Sequence, residues 1–263
     1  MRRSTTRMVG LVLAVVLVVA VVATGVVLLV NPGGSSGPAA AKAAVSRALA
    51  AAKRAGSFHY VSESSGANVN QTIVGDAGVA TGHQYITLGK GQGHFTLVLV
   101  GRTVYFKGDA AAVSSQLGVT AASAGSVAGR WVAVTAGDAP YSTLEPGITV
   151  ASALSQIAFT ARRVSSATLD GHAVKRIDGS VPSTPGTNAS ATAALYVDQA
   201  TGLPLRFEEQ VTSGTTHQGF TITFSHWREH VAETAPSGAV PYSSLPTTGR
   251  APSGGAPVPS FSA

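Results

Sequence analysis

The spacing of hydrophobic positions divides this chain into an unbroken apolar run, one helical stretch and a long region of strand-like alternation. From Val9 to Val30 no residue is charged, and these 22 residues at helical rise reach roughly 33 Å, enough to cross a membrane's hydrocarbon core. Asn31-Pro32-Gly33-Gly34 ends the run. Next, Ala41, Val45, Ala48, Leu49 and Ala52 recur at three-to-four spacing. They predict a helix over Ala39–Ala55, opened by Pro38 and closed by Lys53-Arg54 and Gly56, as the helix dipole and a glycine stop require. Its narrow apolar stripe should pack on a sheet.

From Ser57 the period falls to two. Strands are predicted over Ser57–Ser64, Gln71–Val74, Gln84–Lys90, His94–Val100, Thr103–Lys107, Arg162–Leu169, His172–Val181, Ala191–Asp198, Leu203–Val211 and His217–Trp227. Val100-Gly101-Arg102-Thr103 has the glycine of a tight hairpin at its first turn position. The segment Phe95–Val100 is apolar on both faces and should be covered on both. Short helices predicted over Asp109–Leu117 and Thr149–Phe159 could supply the cover. Strands throughout, few helices and no regular βαβ alternation give an α+β plan, an antiparallel sheet with helices on one face. Phe95, Leu97 and Leu99 form one row of a strand, and Phe220, Ile222 and Phe224 form another. These six residues are the candidate lining of any apolar space between sheet and helices.

Arg2, Arg3 and Arg7 precede the apolar run and no acidic residue does, so the positive-inside rule leaves the N-terminus in the cytoplasm and exports the rest. Two readings of the run follow: a retained signal-anchor, favoured by its length, or a cleaved secretory signal. The resulting division is a cytoplasmic N-terminus (1–8), a transmembrane signal-anchor (9–30), a linker (31–38), an extracytoplasmic domain (39–236) and a Pro/Gly/Ser-rich tail (237–263) expected to be disordered. The chain has no cysteine, which excludes disulfides, thiol nucleophiles, Cys-ligated metals and lipidation at a lipobox. Beyond Val30 there are 15 basic and 12 acidic residues, scattered rather than striped, so nucleic acid is not an expected partner. The membrane itself is an expected partner. A protein partner is left unassigned.

Several motifs carry chemistry elsewhere but not here. His226-Trp227-Arg228-Glu229-His230 matches the inverted zinc-peptidase pattern, yet two histidines four apart converge on a metal only on a helix, and this segment continues a strand. Leu245-Pro246-Thr247-Thr248-Gly249 matches a wall-sorting signal but is followed by neither an apolar segment nor a basic end. Glu208 and Glu209 are adjacent on a strand, so they point to opposite faces and cannot act as an acid/base pair. No catalytic residue, cofactor-binding residue or metal ligand is assigned, and a non-enzymatic protein is expected.

Leu195-Tyr196-Val197-Asp198 with Thr201-Gly202-Leu203-Pro204-Leu205-Arg206, then Phe224-Ser225-His226-Trp227 and Ala235-Pro236, resembles the LppX/LprG type of actinobacterial cell-envelope lipoprotein. Gly129-Arg130-Trp131-Val132, after Val104-Tyr105-Phe106-Lys107, is similar to the middle of the same pattern. The resemblance implies that the sheet is strongly curved into a half-barrel, with helices on its concave side and an apolar cavity for the acyl chains of envelope lipids. The chain departs from that family in lacking the lipidated cysteine, which leaves the signal-anchor as the means of attachment. The function expected is a membrane-anchored extracytoplasmic domain that binds or presents an envelope lipid or glycolipid. The alternative is a non-catalytic structural or signalling ectodomain contacting a partner protein or the wall.

Overall fold

The computed structural model describes residues 37–66, 70–89, 93–182 and 189–249. The expected membrane span Val9–Val30 lies outside the described residues, and no helix among the described ones is long and apolar enough to cross a membrane. Helix α1 (Pro38–Ala55) leads into β1 (Phe58–Ser65), β2 (Asn70–Ala77), β3 (Thr81–Leu88), β4 (His94–Val100) and β5 (Thr103–Gly108). Then come α2 (Ala110–Leu117), α3 (Ala121–Val127), β6 (Val132–Thr135), α4 (Tyr141–Leu144) and α5 (Val150–Ser155). The chain continues through β7 (Thr160–Leu169), β8 (His172–Ser180), β9 (Ala189–Asp198), β10 (Pro204–Ser213), β11 (Thr216–Ser225) and β12 (Val240–Pro241).

These elements make an α+β fold on one large, curved, unclosed sheet of 12 strands, in the order β12-β6-β5-β4-β3-β2-β1-β11-β10-β9-β8-β7. Two antiparallel meanders, β1 to β6 and β7 to β11, are joined where β11 pairs with β1. The hairpins have local causes. Gly101 takes a positive φ of 61° between β4 and β5, where the glycine was expected. Asp198 turns β9 toward β10 by accepting from the Thr201 N–H and hydroxyl, each at 2.7 Å.

Helix α1 ends at Gly56 in the left-handed region (φ 79°), after Lys53 and Arg54. It buries Ala41, Ala44, Ala48 and Ala52 and packs on β7, β8 and β10. A stripe of alanines lets the helix lie close to the sheet. Its core is continuous with that of β4, β5, β11, α2 and α5, so these helices share the concave side. Helix α5 is shorter than the predicted Thr149–Phe159, although its start is firm: Thr149 and Ser152 form a reciprocal capping box.

Two sequence expectations need correction. The tail after residue 236 does not remain free over its described part. Val240–Pro241 runs parallel to β6, and a 3-10 turn at Tyr242–Ser244 buries the Tyr242 ring. Nor is β4 equally covered on both faces. Phe95, Leu97 and Leu99 are in the core, whereas on the outer face Val98 is buried between half-buried Thr96 and Val100.

Candidate ligand-binding face

The pairing register sorts every strand residue onto the concave or the convex face. One concave row runs Phe224, Tyr60, Gly75, Gln84, Leu97 and Phe106 across β11, β1, β2, β3, β4 and β5. The next runs Phe207, Ile222, Ser62, Ile73, Ile86 and Phe95. All six residues expected to line an apolar space therefore do lie on the concave face, and they belong to one core cluster. Each is 1–3% exposed. Their rings are in contact with neighbours: Phe95 stacks on Phe106 at 5.1 Å, Phe224 meets Phe58 edge-on at 5.3 Å, and Phe220 lies 6.3 Å from Phe207.

Polar groups on this face fall into two classes. Gln84 donates to the Tyr60 hydroxyl at 2.6 Å, which donates to the Gly147 carbonyl at 3.0 Å. Burial pushes the Tyr60 pKa up, so this hydroxyl stays protonated. Gly75 makes room for the ring, since a Cβ there would meet its edge at 2.9 Å. This small network is closed. A third concave row, Ala193, Glu209, Phe220, Ser64, Gln71 and Leu88, is different. Glu209 is 5% and Gln71 8% exposed. The Oε1 of Glu209 and the Nε2 of Gln71 have no hydrogen-bond partner. Loss of solvent lifts the Glu209 carboxyl to about 7. Three strand spacings separate the two residues, about 14 Å along the row. Sequence reasoning noted that Glu208 and Glu209 face opposite ways but missed that Glu209 is the inward one. Glu208 sits outside, 3.1 Å from the Tyr196 hydroxyl.

The histidine motif lacks the helix that its zinc pattern requires. β11 ends at Ser225, and His226 and Arg228 have φ of 48° and 69°, so the motif's backbone is a kinked turn rather than a helix. Of its histidines, His226 joins a set of side chains on the convex side that includes His59 and His83 from outside the motif. His226 packs 5.5 Å from His59, His59 Nδ1 is 2.7 Å from Asp76, and His83 bridges Asp76 and Glu233. Among the described residues no group of three or more His, Asp or Glu is disposed to hold a metal. Trp227 packs inward on Phe58 and Phe224.

Two cavities of about 410 and 490 Å³ lie mainly against the convex face. The first is a polar hollow near the ends of β1, β2 and β11, lined among others by Glu63, Asn70, Thr72, Gln210 and Thr221.

No family model and no curated protein matches this sequence. Among solved structures the chain is similar to the Mycobacterium tuberculosis lipoprotein LppX, at 16% identity over 74% of this chain and 98% of that one, with a TM-score of 0.46. It is also similar to LprF from Mycobacterium bovis, at 15% identity over 78% of this chain and all of that one, TM-score 0.44. A third is an uncharacterised conserved protein from Thermus thermophilus, at 13% identity over 76% and 97%, TM-score 0.40. The first two are lipoproteins of the type the sequence resembles. At such identities no residue role carries over from them.

Proposed function

We propose that this domain binds an amphiphile non-covalently on its concave face, with the apolar part along the rows of Leu97 and Ile222 and a hydroxyl-bearing head at Glu209 and Gln71. The observation that carries the reading is the pair of buried, unpartnered polar atoms, Glu209 Oε1 and Gln71 Nε2, in one row of a mainly apolar face. Leaving such a group unsatisfied costs about 1–3 kcal/mol, and a bound head group would supply the missing partners. A carboxyl and an amide together suit hydroxyls, which both donate and accept. The described buried residues include no Lys, Arg or His to neutralise an anionic head. Each methylene moved from water onto such rows contributes about 0.8 kcal/mol, so acyl chains suffice for firm binding without a polar motif.

In this reading the Val9–Val30 run anchors the chain in the cytoplasmic membrane by a single pass. The domain stands outside, where it holds or presents an envelope lipid or glycolipid and performs no chemistry on it. The test is mass spectrometry of lipid extracted from protein purified from an actinobacterial host. Leu97→Trp and Leu99→Trp should lower the lipid content with the fold retained, while Val98→Trp, on the opposite face, should not.

A second reading is favoured by the packing: all six expected lining side chains are within one closed core, with rings in contact. It makes the domain a structural or signalling ectodomain that meets a partner protein or the wall. Lipid-free protein from such a host would select it.

A further inference from the structure

The larger cavity, about 490 Å³, is a groove on the convex face where the sheet stops short. β6 begins at Val132 opposite Phe106, so Lys107 and Gly108 have no strand beside them on that side. The small residues Gly108, Ala110, Ala128 and Gly129 leave the hollow open. Register places Tyr85, Thr96 and Lys107 side by side on β3, β4 and β5, and the Lys107 ammonium lies 5.6 Å above the Trp131 ring. His94 lies 5.8 Å from Tyr85, ring to ring.

Two properties set this groove apart from an ordinary sheet face. Tyr85 is 44% exposed, one of two large hydrophobic residues so placed among those described. Tyr85 thus turns part of its ring to water, and the half-buried Trp131 ring, with Lys107 above one face, lines the same groove. Tyr85, His94 and Lys107 make ring and cation contacts, and no hydrogen bond or ion pair joins their side chains or that of Thr96 to the other described residues. Asp109, which also borders the groove, is committed, since its Oδ1 accepts from the Ala112 N–H at 2.8 Å and caps α2. The Asp109 charge is held at the helix N-terminus, which leaves Lys107, the groove's one lysine or arginine, without an acidic partner among the described residues.

We infer that this convex groove is a second binding site, for an acidic saccharide. Sugar rings present C–H faces that stack on Tyr85 and Trp131, hydroxyls bond with Thr96 and His94, and a carboxylate pairs with Lys107. A peptide strand is disfavoured because the free edge is only two residues long, Lys107 and Gly108, with the Gly108 carbonyl already accepting from the Gly129 N–H at 2.8 Å, while Tyr85 and Thr96 lie on strands paired on both sides. A bare acyl chain is disfavoured by the charged Lys107 and Asp109 that border the groove. The inference is independent of the amphiphile reading, which concerns the opposite face.

The test is titration of the full chain, purified in a detergent without a sugar head, with tetragalacturonate and, separately, with uncharged chitotetraose. The expected result is saturable binding of tetragalacturonate that weakens about tenfold or more in Tyr85→Ala and in Trp131→Ala, one tenfold step being about 1.4 kcal/mol. Lys107→Met should abolish the preference for the acidic sugar, and added salt should do the same. Each variant changes an outward-facing side chain, and an unchanged melting temperature checks that the fold persists. Absence of saturable binding to either sugar, or binding unaffected by Tyr85→Ala and Trp131→Ala, overturns the site. Equal or tighter binding of chitotetraose by the parent protein overturns its acidic specificity.

Discussion

Glu209 is the one carboxylate among the described buried residues, and its position gives it a pH signature. Its folded pKa is raised to about 7 from an ordinary 4.5 because burial penalises the charged form. Between those values the unfolded chain has lost its proton and the folded one retains it, so stability falls as pH rises through this window and levels off above it. Glu209→Gln should flatten that slope in chemical denaturation curves taken from pH 4.5 to 8. A slope unchanged by the substitution would show that the carboxyl is solvated. If a hydroxyl-bearing head occupies the site, its donation to the carboxylate holds the pKa down, and extracting the ligand steepens the slope. Strand alternation put Glu208 and Glu209 on opposite sides, but which side is inside follows from pairing with Phe220 and Ala193, residues distant in sequence.

At the scale of elements, the segment after Pro236 acts as a strap. Val240 donates its N–H to the Trp131 carbonyl at 2.8 Å, Tyr242 is buried, and Leu245 packs on the core. The Leu-Pro-Thr-Thr-Gly motif is held by backbone bonds: Thr120 N–H to the Pro246 carbonyl at 3.1 Å, and Thr248 N–H to Gly118 at 2.9 Å. Its peptide is engaged at the link between α2 and α3 rather than displayed to an enzyme. Truncation after Pro236 should therefore lower stability by about 2–4 kcal/mol, the scale of one aromatic and two aliphatic side chains returned partly to water. A melting temperature unchanged by truncation would refute the docking. Composition misreads this segment because Pro, Gly and Ser dominate it. Three apolar anchors suffice once a short edge strand, the four-residue β6, is waiting to be covered.

For the whole molecule, the one-sided arginines and the apolar run predict that a tag placed after Ser260 is lost when intact cells are treated with external protease, while a cytoplasmic control survives. Protection of the tag would reverse the orientation. The sequence by itself determined ten of the 12 strands, though not the short β6 and β12, together with the helical stripe of α1, the Gly101 hairpin and the partition of each strand into two faces, because each follows from neighbours a few residues apart. The tertiary structure alone decided the rest. The closure of the Tyr60 and Gln84 network, the isolation of Glu209 and Gln71, the groove beside Trp131 and the seat of the tail all depend on register between strands far apart in the chain. They depend also on where β6 starts and on which edge stays uncovered. Alternation along one strand has a period but no sign: it separates two faces, and only assembly of the sheet makes one of them the inside.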